Sequence, residues 1–413
     1  MIQKRSVILR AAVVPLLACG LLALAIAADL WAAAVVYGPE YVWRVVAWRD
    51  PSPHDDARFP VRHIAASAQP VHFPAVPDGS ALVRAAFAHV ASAETQPGEI
   101  LENFLARTQT TSMLVLRDGH LLYEGYFNGH QRDTAQGSFS MAKSVTSLLI
   151  GAAIVENKLP SIDTPAQDLL PDVKGLCGSK ISLRNLLDMT SGFAIDKGRL
   201  FWPFRGPWTD YKLMYFAPDL RAVAAAVRSE YRPGTHFLYD DRNPMLLGMM
   251  LEGATHAHVA TWLERRLWQP IGAEFSASWS LDSQANGFEK MESGINARPI
   301  DFLKIGQLVL RGGVAENGQR LLPESWIEQV TTPTPHVAGW PRGDDFFYGL
   351  LWWGFTTGNE PQDVFAEGIF GQVMLVSRAK GIVVLRTGNG DGGVASWPLL
   401  LRALANALSG SER

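Results

Sequence analysis

Ser140 and Lys143 stand three positions apart at the start of a long apolar stretch. If Ser140 begins a helix, the two side chains share one face, with about 5–6 Å between their Cβ atoms. A serine hydroxyl becomes a strong nucleophile when a base takes its proton, and a lysine can be that base only if burial and nearby positive charge lower its pKa. A helix N-terminus also directs backbone N–H groups at an anion formed there. The pair therefore predicts nucleophilic attack by Ser140, with Lys143 as the base.

By itself this spacing is a weak signal, because a capped surface helix with a solvated lysine has the same pattern. The residues after Lys143 are apolar on every side of a predicted helix over 140–157, and they include Leu148, Leu149 and Ile150. A helix that is hydrophobic all round is typical of a protein core. The pattern therefore favours a buried helix over the surface alternative.

Three stretches resemble one known family, the penicillin-recognising serine hydrolases. That family comprises class C β-lactamases, DD-peptidases, related esterases and nylon-oligomer (6-aminohexanoate-dimer) hydrolases. Ser-Met-Ala-Lys-Ser-Val-Thr-Ser at 140–147 is similar to the nucleophile helix of the nylon-oligomer branch. Residues 162–171 resemble the segment that follows it, and residues 181–193 resemble the family's Leu-Leu-x-His-Thr-Ser-Gly stretch. The resemblance covers about residues 98–408.

The family's second catalytic element is Tyr-x-Asn, and Tyr239 and Asp241 stand in its context after Arg-Pro-Gly at 232–234. The resemblance implies that Tyr239 lies near Ser140 and Lys143 and shuttles a proton to the leaving group. Its usual pKa, about 10, must fall for that role, and a nearby ammonium favours the phenolate. Without the resemblance, a buried structural aromatic is the simpler interpretation. Asp241 replaces the family's Asn; it can accept a hydrogen bond from the lysine, but it cannot donate an amide N–H, and its charge repels acidic ligands.

The family's third element is a strand triad, Lys-Thr-Gly or His-x-Gly, whose cation binds the substrate carboxylate. This chain lacks the lysine at that place and has Glu367 in its neighbourhood. Gly368 allows the strand to approach the substrate closely. The resemblance implies an oxyanion hole made by the N–H groups of Ser140 and Ile369. Substrate contacts are expected from Asp241, Glu367, Gly368, Gly371 and Gln372.

The resemblance implies a serine hydrolase that cleaves an amide or ester bond through an acyl-Ser140 intermediate, with no metal or organic cofactor. Because Lys-Thr-Gly is missing and Asp241 and Glu367 add negative charge, an esterase or small-amide hydrolase is favoured over a β-lactamase or DD-peptidase. A non-catalytic ligand-binding module of the same fold is the alternative from another class. The joint presence of Ser140, Lys143 and Tyr239 argues against that alternative.

The elements that must position these residues predict an α+β fold. Strand patterns occur in a hairpin over 112–126, with an Asp-Gly turn at 118–119, and in three strands over 364–387. The chain from 139 to 291 is mostly helical between them. The resemblance implies a β-lactamase/DD-peptidase-like antiparallel sheet formed from both chain ends, with flanking helices and a mostly helical insert. Helices are also expected at 98–108, 182–189, 218–228, 243–253, 258–267 and 396–408.

An N-terminal transmembrane helix is the expectation for residues 11–28, an uncharged apolar stretch that follows Lys4, Arg5 and Arg10. A membrane-spanning helix needs roughly 17–25 residues. Positive charge before the span stays on the cytoplasmic side, so we expect the catalytic domain to be membrane-anchored and extracytoplasmic, in the periplasm.

Two alternatives to a membrane anchor also place the catalytic domain outside the cytoplasm. Ala-Ile-Ala at 25–27 resembles a cleavage site, and a cleaved signal peptide would release a secreted protein. Lipid modification of Cys19 is the other alternative, disfavoured because the residues after it stay apolar. Tyr41, Trp43 and Trp48 would suit the outer membrane interface.

The sequence predicts three parts of the chain: an anchor or signal at 1–37, a Pro- and Ala-rich linker at 38–97, and the serine hydrolase domain at 98–413. The chain is 47% hydrophobic and 19% charged, with a net charge of −3. This composition fits a globular protein and provides no basis for nucleic-acid binding. The expected partners are a small amide or ester substrate and the membrane.

Cysteine and histidine usage predicts neither a disulfide framework nor a metal site. The two cysteines are Cys19, inside the apolar segment, and Cys177. His256 and His258 lie two apart, and no nearby residue completes a zinc-ligand spacing. A solvated histidine pair is therefore the favoured interpretation.

Overall fold

The computed structural model describes residues 2–90, 95–96, 98–195, 210–357 and 361–410. Its compact units are Met1–Pro51 with Ile195–Pro218, and Ser52–Ala194 with Asp219–Arg413. The α-helices of the described residues are α1 Ile2–Tyr37, α2 Pro39–Trp48, α3 Gly79–His89, α4 Leu101–Arg107, α5 Met141–Val155, α6 Ala166–Leu169, α7 Leu183–Leu187, α8 Asp210–Phe216, α9 Leu220–Ala225, α10 Arg242–Thr255, α11 Val259–Leu263, α12 Pro299–Leu310, α13 Glu324–Val330 and α14 Trp397–Gly410. The strands are β1 Val61–Ile64, β2 Thr110–Arg117, β3 His120–Tyr126, β4 Gln136–Gly137, β5 Ala277–Ser280, β6 Ile295–Ala297, β7 Phe346–Gly349, β8 Trp352–Phe355, β9 Val364–Gly368, β10 Gln372–Ser377 and β11 Ile382–Gly388.

The larger sheet is antiparallel and joins the two ends of the hydrolase domain, as the sequence predicts. Its strand order is β3-β2-β11-β10-β9-β8-β7. The early hairpin meets the late strands where β2 pairs with β11, from Arg117 opposite Ile382 to Thr110 opposite Gly388. The predicted hairpin turn is also confirmed, because Asp118 and its following glycine both have positive φ, 48° and 79°, which matches the twist of the flanking strands.

Helix α5 lies buried at the centre of the larger unit, Ser52–Ala194 with Asp219–Arg413. Every residue from Met141 to Ala153 is buried, which confirms the interpretation of its all-round apolar sequence. Gly151 is required for close packing, because a Cβ there would lie 2.8 Å from the indole ring of Trp326. Burial of each leucine in this helix contributes about 1.5–3 kcal/mol to stability. The helix therefore forms a rigid base for the residues at its N-terminus.

The segment expected to be a linker, residues 38–97, instead contributes regular structure. It contains α2, α3 and β1, and β1 is the edge of a second sheet with strand order β1-β5-β6-β4. Val61 to Ile64 pair with Ser280 to Ala277 of β5. The prolines around β1 make this segment resemble a linker in the sequence, and its pairing partner is more than 200 residues away.

The N-terminal unit contains α1, whose segment Leu17–Tyr37 has a mean hydropathy of 2.1 and is long and apolar enough to cross a membrane. This segment ends nine residues later than the predicted span and includes Asp29. Beyond α1, Arg44 donates a hydrogen bond to the carbonyl oxygen of Phe216, 3.1 Å away. Tyr41 is fully buried in this unit.

Candidate active site

Ser140 lies at the N-terminus of α5, directly after the second sheet. Ser138 follows β4 and donates its N–H to the carbonyl oxygen of Ile295 at 2.7 Å, which fixes the chain before Ser140. Phe139 then adopts a left-handed backbone with φ 46°. Such a conformation costs a non-glycine residue roughly 1–3 kcal/mol and persists only where the surroundings impose it. It presents Ser140 at the floor of a cavity rather than along the continuing strand.

Lys143 is only 1% exposed, and its side chain has three polar neighbours. Its Nζ donates to Ser140 Oγ at 2.8 Å and to the carbonyl oxygen of Glu292 at 3.0 Å. The third neighbour is Asp241, whose Oδ1 lies 2.8 Å from Nζ. The spacing along the sequence therefore correctly predicts a hydrogen-bonded serine–lysine pair.

The expected lowering of the Lys143 pKa is wrong. Burial does act to lower this pKa, but the carboxylate of Asp241 and the phenol of Tyr239 outweigh it, and the pKa is raised overall. The sequence argument assumed a positive neighbour, whereas the structure supplies a negative one. Lys143 therefore pairs with Asp241, whose negative charge favours the ammonium form.

Tyr239 reaches the site on a segment that is tied to the 181–193 stretch. Leu238 donates its N–H to Met189 O at 2.9 Å, and Gly234 donates its N–H to Thr190 O at 2.8 Å. Gly234 has φ 80°, so the Pro-Gly turn needs its glycine. The Lys143 ammonium lies 4.8 Å from the centroid of the Tyr239 ring. The resemblance-based position of Tyr239 beside the serine–lysine pair is thus what the structure has.

An ion pair that the sequence analysis missed fixes the Tyr239–Asp241 turn. The carboxylate of Asp240 is buried and accepts hydrogen bonds from Nε and Nη2 of Arg242, with the shortest contact at 2.6 Å. Asp241 is the N-cap of α10, where the positive end of the helix dipole stabilises its carboxylate. The Asp-Asp-Arg run at 240–242 is the signal that could have revealed this pair.

The third element is the end of β9. There Gly368 lies against the backbone of Ser138 and Ser140. A Cβ on Gly368 would lie 2.5 Å from the carbonyl oxygen of Ser138 and 3.1 Å from the amide nitrogen of Ser140. The requirement for glycine was expected here, but the partner is the nucleophile's own backbone. The next residue, Ile369, lines the same cavity as Ser140.

A cavity of about 720 Å³ opens above these groups. Ser140, Tyr239, Gly368 and Ile369 line it, together with a wall that includes three aromatic side chains. The remaining lining residues are Pro341, Arg342, Gly343, Phe346, Trp353, Glu367, Gly371, Val373, Asp391, Val394, Ala395, Ser396, Trp397 and Leu399. The cavity thus contains the predicted nucleophile, the predicted tyrosine and the predicted oxyanion donor.

Arg342 is a residue of this cavity that the sequence analysis missed. Its guanidinium lies 4.0 Å from the ring centroid of Trp353 and forms an ion pair with Glu367. Trp353 in turn stacks on Tyr239, with 5.9 Å between ring centroids. Trp352, in contrast, is fully buried, so the two adjacent tryptophans divide between core and cavity wall. Arg342 lies on a loop without periodicity, and its sequence carries no signal for this role.

Two of the expected substrate contacts are placed elsewhere. Gln372 is fully buried, and its amide nitrogen donates to the carbonyl oxygens of Ile369, Phe370 and Gly388, so the prediction of a substrate contact is wrong. Asp241 faces Lys143 rather than lining the cavity. Glu367, Gly368 and Gly371 line the cavity as expected.

One group of potential metal ligands occurs away from this cavity. Glu252, His258 and Glu289 bring one ligand atom each within 4.8 Å of one another, a grouping that the sequence spacing of the histidines did not show. Both carboxylates already have a cationic partner: Arg221 lies 2.6 Å from Glu252, and Arg62 lies 2.6 Å from Glu289. The group is therefore an ion-pair network with its charges balanced.

Comparisons with known proteins agree with this geometry. The Beta-lactamase family matches residues 99–409. The 6-aminohexanoate-dimer hydrolase of Paenarthrobacter ureafaciens is 26% identical over 322 residues, which are 72% of this chain and 75% of that protein. A family VIII carboxylesterase has a similar fold, with a TM-score of 0.58 at 14% identity over 82% of this chain and 98% of that one. A D-stereospecific amidohydrolase from Streptomyces gives a TM-score of 0.56 at 19% identity, over 82% and 100% of the two chains.

Proposed function

The chain belongs to the Beta-lactamase family and is a serine hydrolase, and on this premise we propose that Ser140 attacks an ester or small amide. The observation that carries this proposal is the 2.8 Å contact between Lys143 Nζ and Ser140 Oγ at the floor of the cavity. A ligand-binding module without catalysis has no need to bury a lysine at that distance from a serine. The Paenarthrobacter relative, named for an amide dimer, and the carboxylesterase-like fold support the same substrate classes.

Acylation begins with a proton transfer inside the Lys143–Asp241 pair. Lys143 gives a proton to Asp241, 2.8 Å away, and the resulting amine takes the proton of Ser140 Oγ. The serine oxygen then forms a bond to the carbonyl carbon of the substrate. Tyr239 protonates the leaving group as the bond from carbon to oxygen or nitrogen breaks. It recovers a proton from Lys143, which recovers its own from Asp241.

The tetrahedral intermediate places a negative oxygen between the N–H groups of Ser140 and Ile369. Both backbones are held in place, one by the N-terminus of α5 and the other by the contact of Gly368 with the Ser138–Ser140 segment. Loss of one such donor typically costs about 10²–10³ in kcat. Water then attacks the acyl-Ser140 ester, with Tyr239 and Lys143 again as the base pair, and the acid product leaves.

The charges of the cavity favour esters and small amides over β-lactams and D-Ala-D-Ala peptides. Those compounds carry a carboxylate that the family's strand lysine binds. Here the strand has Glu367, and Arg342, the cation in the cavity wall, is already paired with it. Asp391 adds a second carboxylate to the lining.

A fluorophosphonate probe and a panel of aryl esters and anilides test the nucleophile in the full-length protein. We expect labelling and turnover in the wild type and neither in Ser140→Ala. Ser147→Ala is a matched control, because Ser147 lies in the same helix, and its buried hydroxyl has no hydrogen-bond partner among the described residues. Labelling of a folded Ser140→Ala protein would contradict the proposal, and efficient nitrocefin turnover would contradict the preference for esters and amides.

For localisation we propose that Leu17–Tyr37 anchors the protein in the membrane, with the hydrolase domain in the periplasm. The support is the apolar length of this segment and the position of Lys4, Arg5 and Arg10 before it. We expect the full-length protein to stay in the membrane fraction after alkaline extraction and to be digested by protease added to spheroplasts. A shorter, soluble periplasmic form that begins near residue 28 would indicate signal cleavage instead.

A further inference from the structure

The turn that connects β9 to β10 supplies the proposed oxyanion donor and has an unusual backbone. Residues Ile369–Gly371 form a single 3-10 turn. Phe370 and Gly371 both have positive φ, 66° and 74°, and the first of these is costly for a residue with a side chain. Ile369 opens the turn, so its N–H has no acceptor within it. We call Ile369–Gly371 the oxyanion turn.

Two buried side chains hold all three carbonyl groups of the oxyanion turn. One hydrogen of the Gln372 amide nitrogen is shared between the carbonyl oxygens of Ile369 and Phe370, each at 3.3 Å. Arg386 donates through Nη1 to the carbonyl oxygens of Phe370 and Gly371, at 3.0 and 2.7 Å. These bonds come from the core side of the sheet and fix the peptide planes that follow the Ile369 N–H.

Both side chains are anchored on the opposite side of the turn. Gln372 exchanges two hydrogen bonds with the backbone of Gly388, at 2.6 Å from its amide nitrogen and 3.1 Å to its oxygen. Arg386 donates to the carbonyl oxygens of Thr108 and Gly390 at 2.8 and 2.9 Å. Both residues are fully buried, so neither can reach substrate.

Two glycines make room for this arrangement. A Cβ on Gly371 would lie 2.0 Å from Arg386 Nη1, and a Cβ on Gly388 would lie 2.2 Å from the same nitrogen. The guanidinium therefore fits only because both positions lack a side chain. Gly371 and Gly388 thus leave the space in which the buried Arg386 side chain contacts the oxyanion turn.

We propose that Gln372 and Arg386 are positioning residues that hold the Ile369 N–H at the oxyanion for catalysis. This inference rests on the proposed function of Ser140 and Ile369. A buried pair that only stabilised the sheet would affect folding. A pair that positions the donor must also affect the stabilisation of the tetrahedral intermediate, because a misplacement of about 1 Å can cost 10²-fold in rate.

The test compares Gln372→Met, which keeps the length of the side chain and removes its donors, with the control Thr387→Val. Thr387 is buried beside Arg386 in β11, and its hydroxyl pairs with those of Thr111 and Ser112 at 2.7 Å, away from the turn. The full-length variants are compared in melting temperature, in kcat and KM for an aryl ester, and in the inhibition constant of a phenylboronic acid. The boronate forms a tetrahedral adduct with Ser140 and so probes the oxyanion hole directly.

We expect Gln372→Met to lower kcat about 10- to 100-fold with KM within about twofold, and to weaken boronate inhibition by a similar factor. Thr387→Val is expected to lower the melting temperature without either change. Arg386→Lys keeps the charge but not the paired hydrogen bonds to the Phe370 and Gly371 carbonyl oxygens, so it should show an intermediate loss of kcat. This variant replaces Gln372→Met in the test if Gln372→Met does not fold.

Kinetic losses in the folded variants no larger than in Thr387→Val would overturn the inference. The same holds for a loss that appears in KM while boronate inhibition is unchanged. An inactive, unlabelled wild type would overturn the proposed function and this inference with it. An active wild type with insensitive variants overturns only the positioning role.

Discussion

Phe139 and Phe370 pack edge to face across the two halves of the candidate oxyanion hole, with their ring centroids 5.0 Å apart. Phe139 precedes the amide of Ser140, Phe370 follows the amide of Ile369, and both have left-handed backbones. Edge-to-face aromatic pairs contribute about 0.5–1.5 kcal/mol beyond their buried area. The contact therefore offsets part of the strain on both sides and couples the positions of the two N–H donors.

Gly368→Ala is expected to inactivate the enzyme, because its Cβ would lie 2.5 Å from the Ser138 carbonyl oxygen and would separate β9 from the nucleophile. We expect a loss of at least about 100-fold in kcat and a destabilisation of about 1–3 kcal/mol. Kinetics and chemical denaturation measure the two effects. Gly253→Ala in α10 is the matched control, since a Cβ there meets nothing within 4 Å. It should keep full activity, and an equally active Gly368→Ala protein would show that the close approach is not needed.

Asp241→Asn is expected to shift the pH dependence of kcat/KM. The Asp241 carboxylate raises the pKa of Lys143, and the neutral amine is the form that accepts the serine proton. Removal of that charge lowers the lysine pKa, so the rising limb of the profile should move to lower pH. The plateau rate should fall, because asparagine cannot take the proton that Lys143 gives to Asp241. Asp163→Asn, at a largely exposed ion pair with Arg184, is the control and should leave the limb in place. A limb unchanged in Asp241→Asn would show that Lys143 does not control the profile.

Glu367→Gln is expected to change the preference for charged substrates. The substitution leaves the Arg342 guanidinium without its anionic partner in the cavity. Esters with a carboxylate on the acyl group should gain about tenfold in kcat/KM relative to neutral esters, because an ionised acceptor strengthens each hydrogen bond from the guanidinium. The double variant Glu367→Gln with Arg342→Gln should abolish the gain. Equal ratios in wild type and Glu367→Gln would exclude control of selectivity by this ion pair.

Asp188→Asn is expected to raise stability at neutral pH but not in acid. Burial raises the pKa of Asp188 to about 6, although the Leu350 N–H, 2.8 Å away, acts to lower it. Folding therefore favours the protonated acid, and the stability present below about pH 4 is lost as the pH rises through about 6. Asparagine keeps the acceptor for Leu350 and removes the titration. Melting temperatures from pH 4 to 8 should diverge between the two proteins as the pH rises, and parallel curves would contradict this assignment.

Local signals in the sequence were sufficient for the parts of the fold that depend on near neighbours. The Asp-Gly turn at 118–119, the apolar run of α5 and the strands of 364–387 all carry their pattern within a few residues. Strand β1 was missed because it has four residues and pairs with β5, far along the chain. Its strand character comes from the partner rather than from its own sequence.

The candidate site was predictable in its residue types but not in its charges. Ser140, Lys143 and Tyr239 were identified by spacing and resemblance, whereas the pKa of Lys143 depends on which carboxylate folds against it. The face to which Gln372 points could not be read from strand alternation either. The two left-handed residues before it redirect the chain, and such a turn changes the side of the sheet that each later residue faces.

The loop that carries Arg342, residues 331–345 between α13 and β7, has a practical consequence for laboratory evolution. It contributes cavity wall and charge, while Ser140 and Lys143 lie at the start of the buried helix α5 and the oxyanion turn is held by the buried Gln372 and Arg386. Libraries confined to this loop should therefore retain a high fraction of folded, acylating clones. Selection for activity on new amides or esters can begin there, with the reactive machinery left untouched.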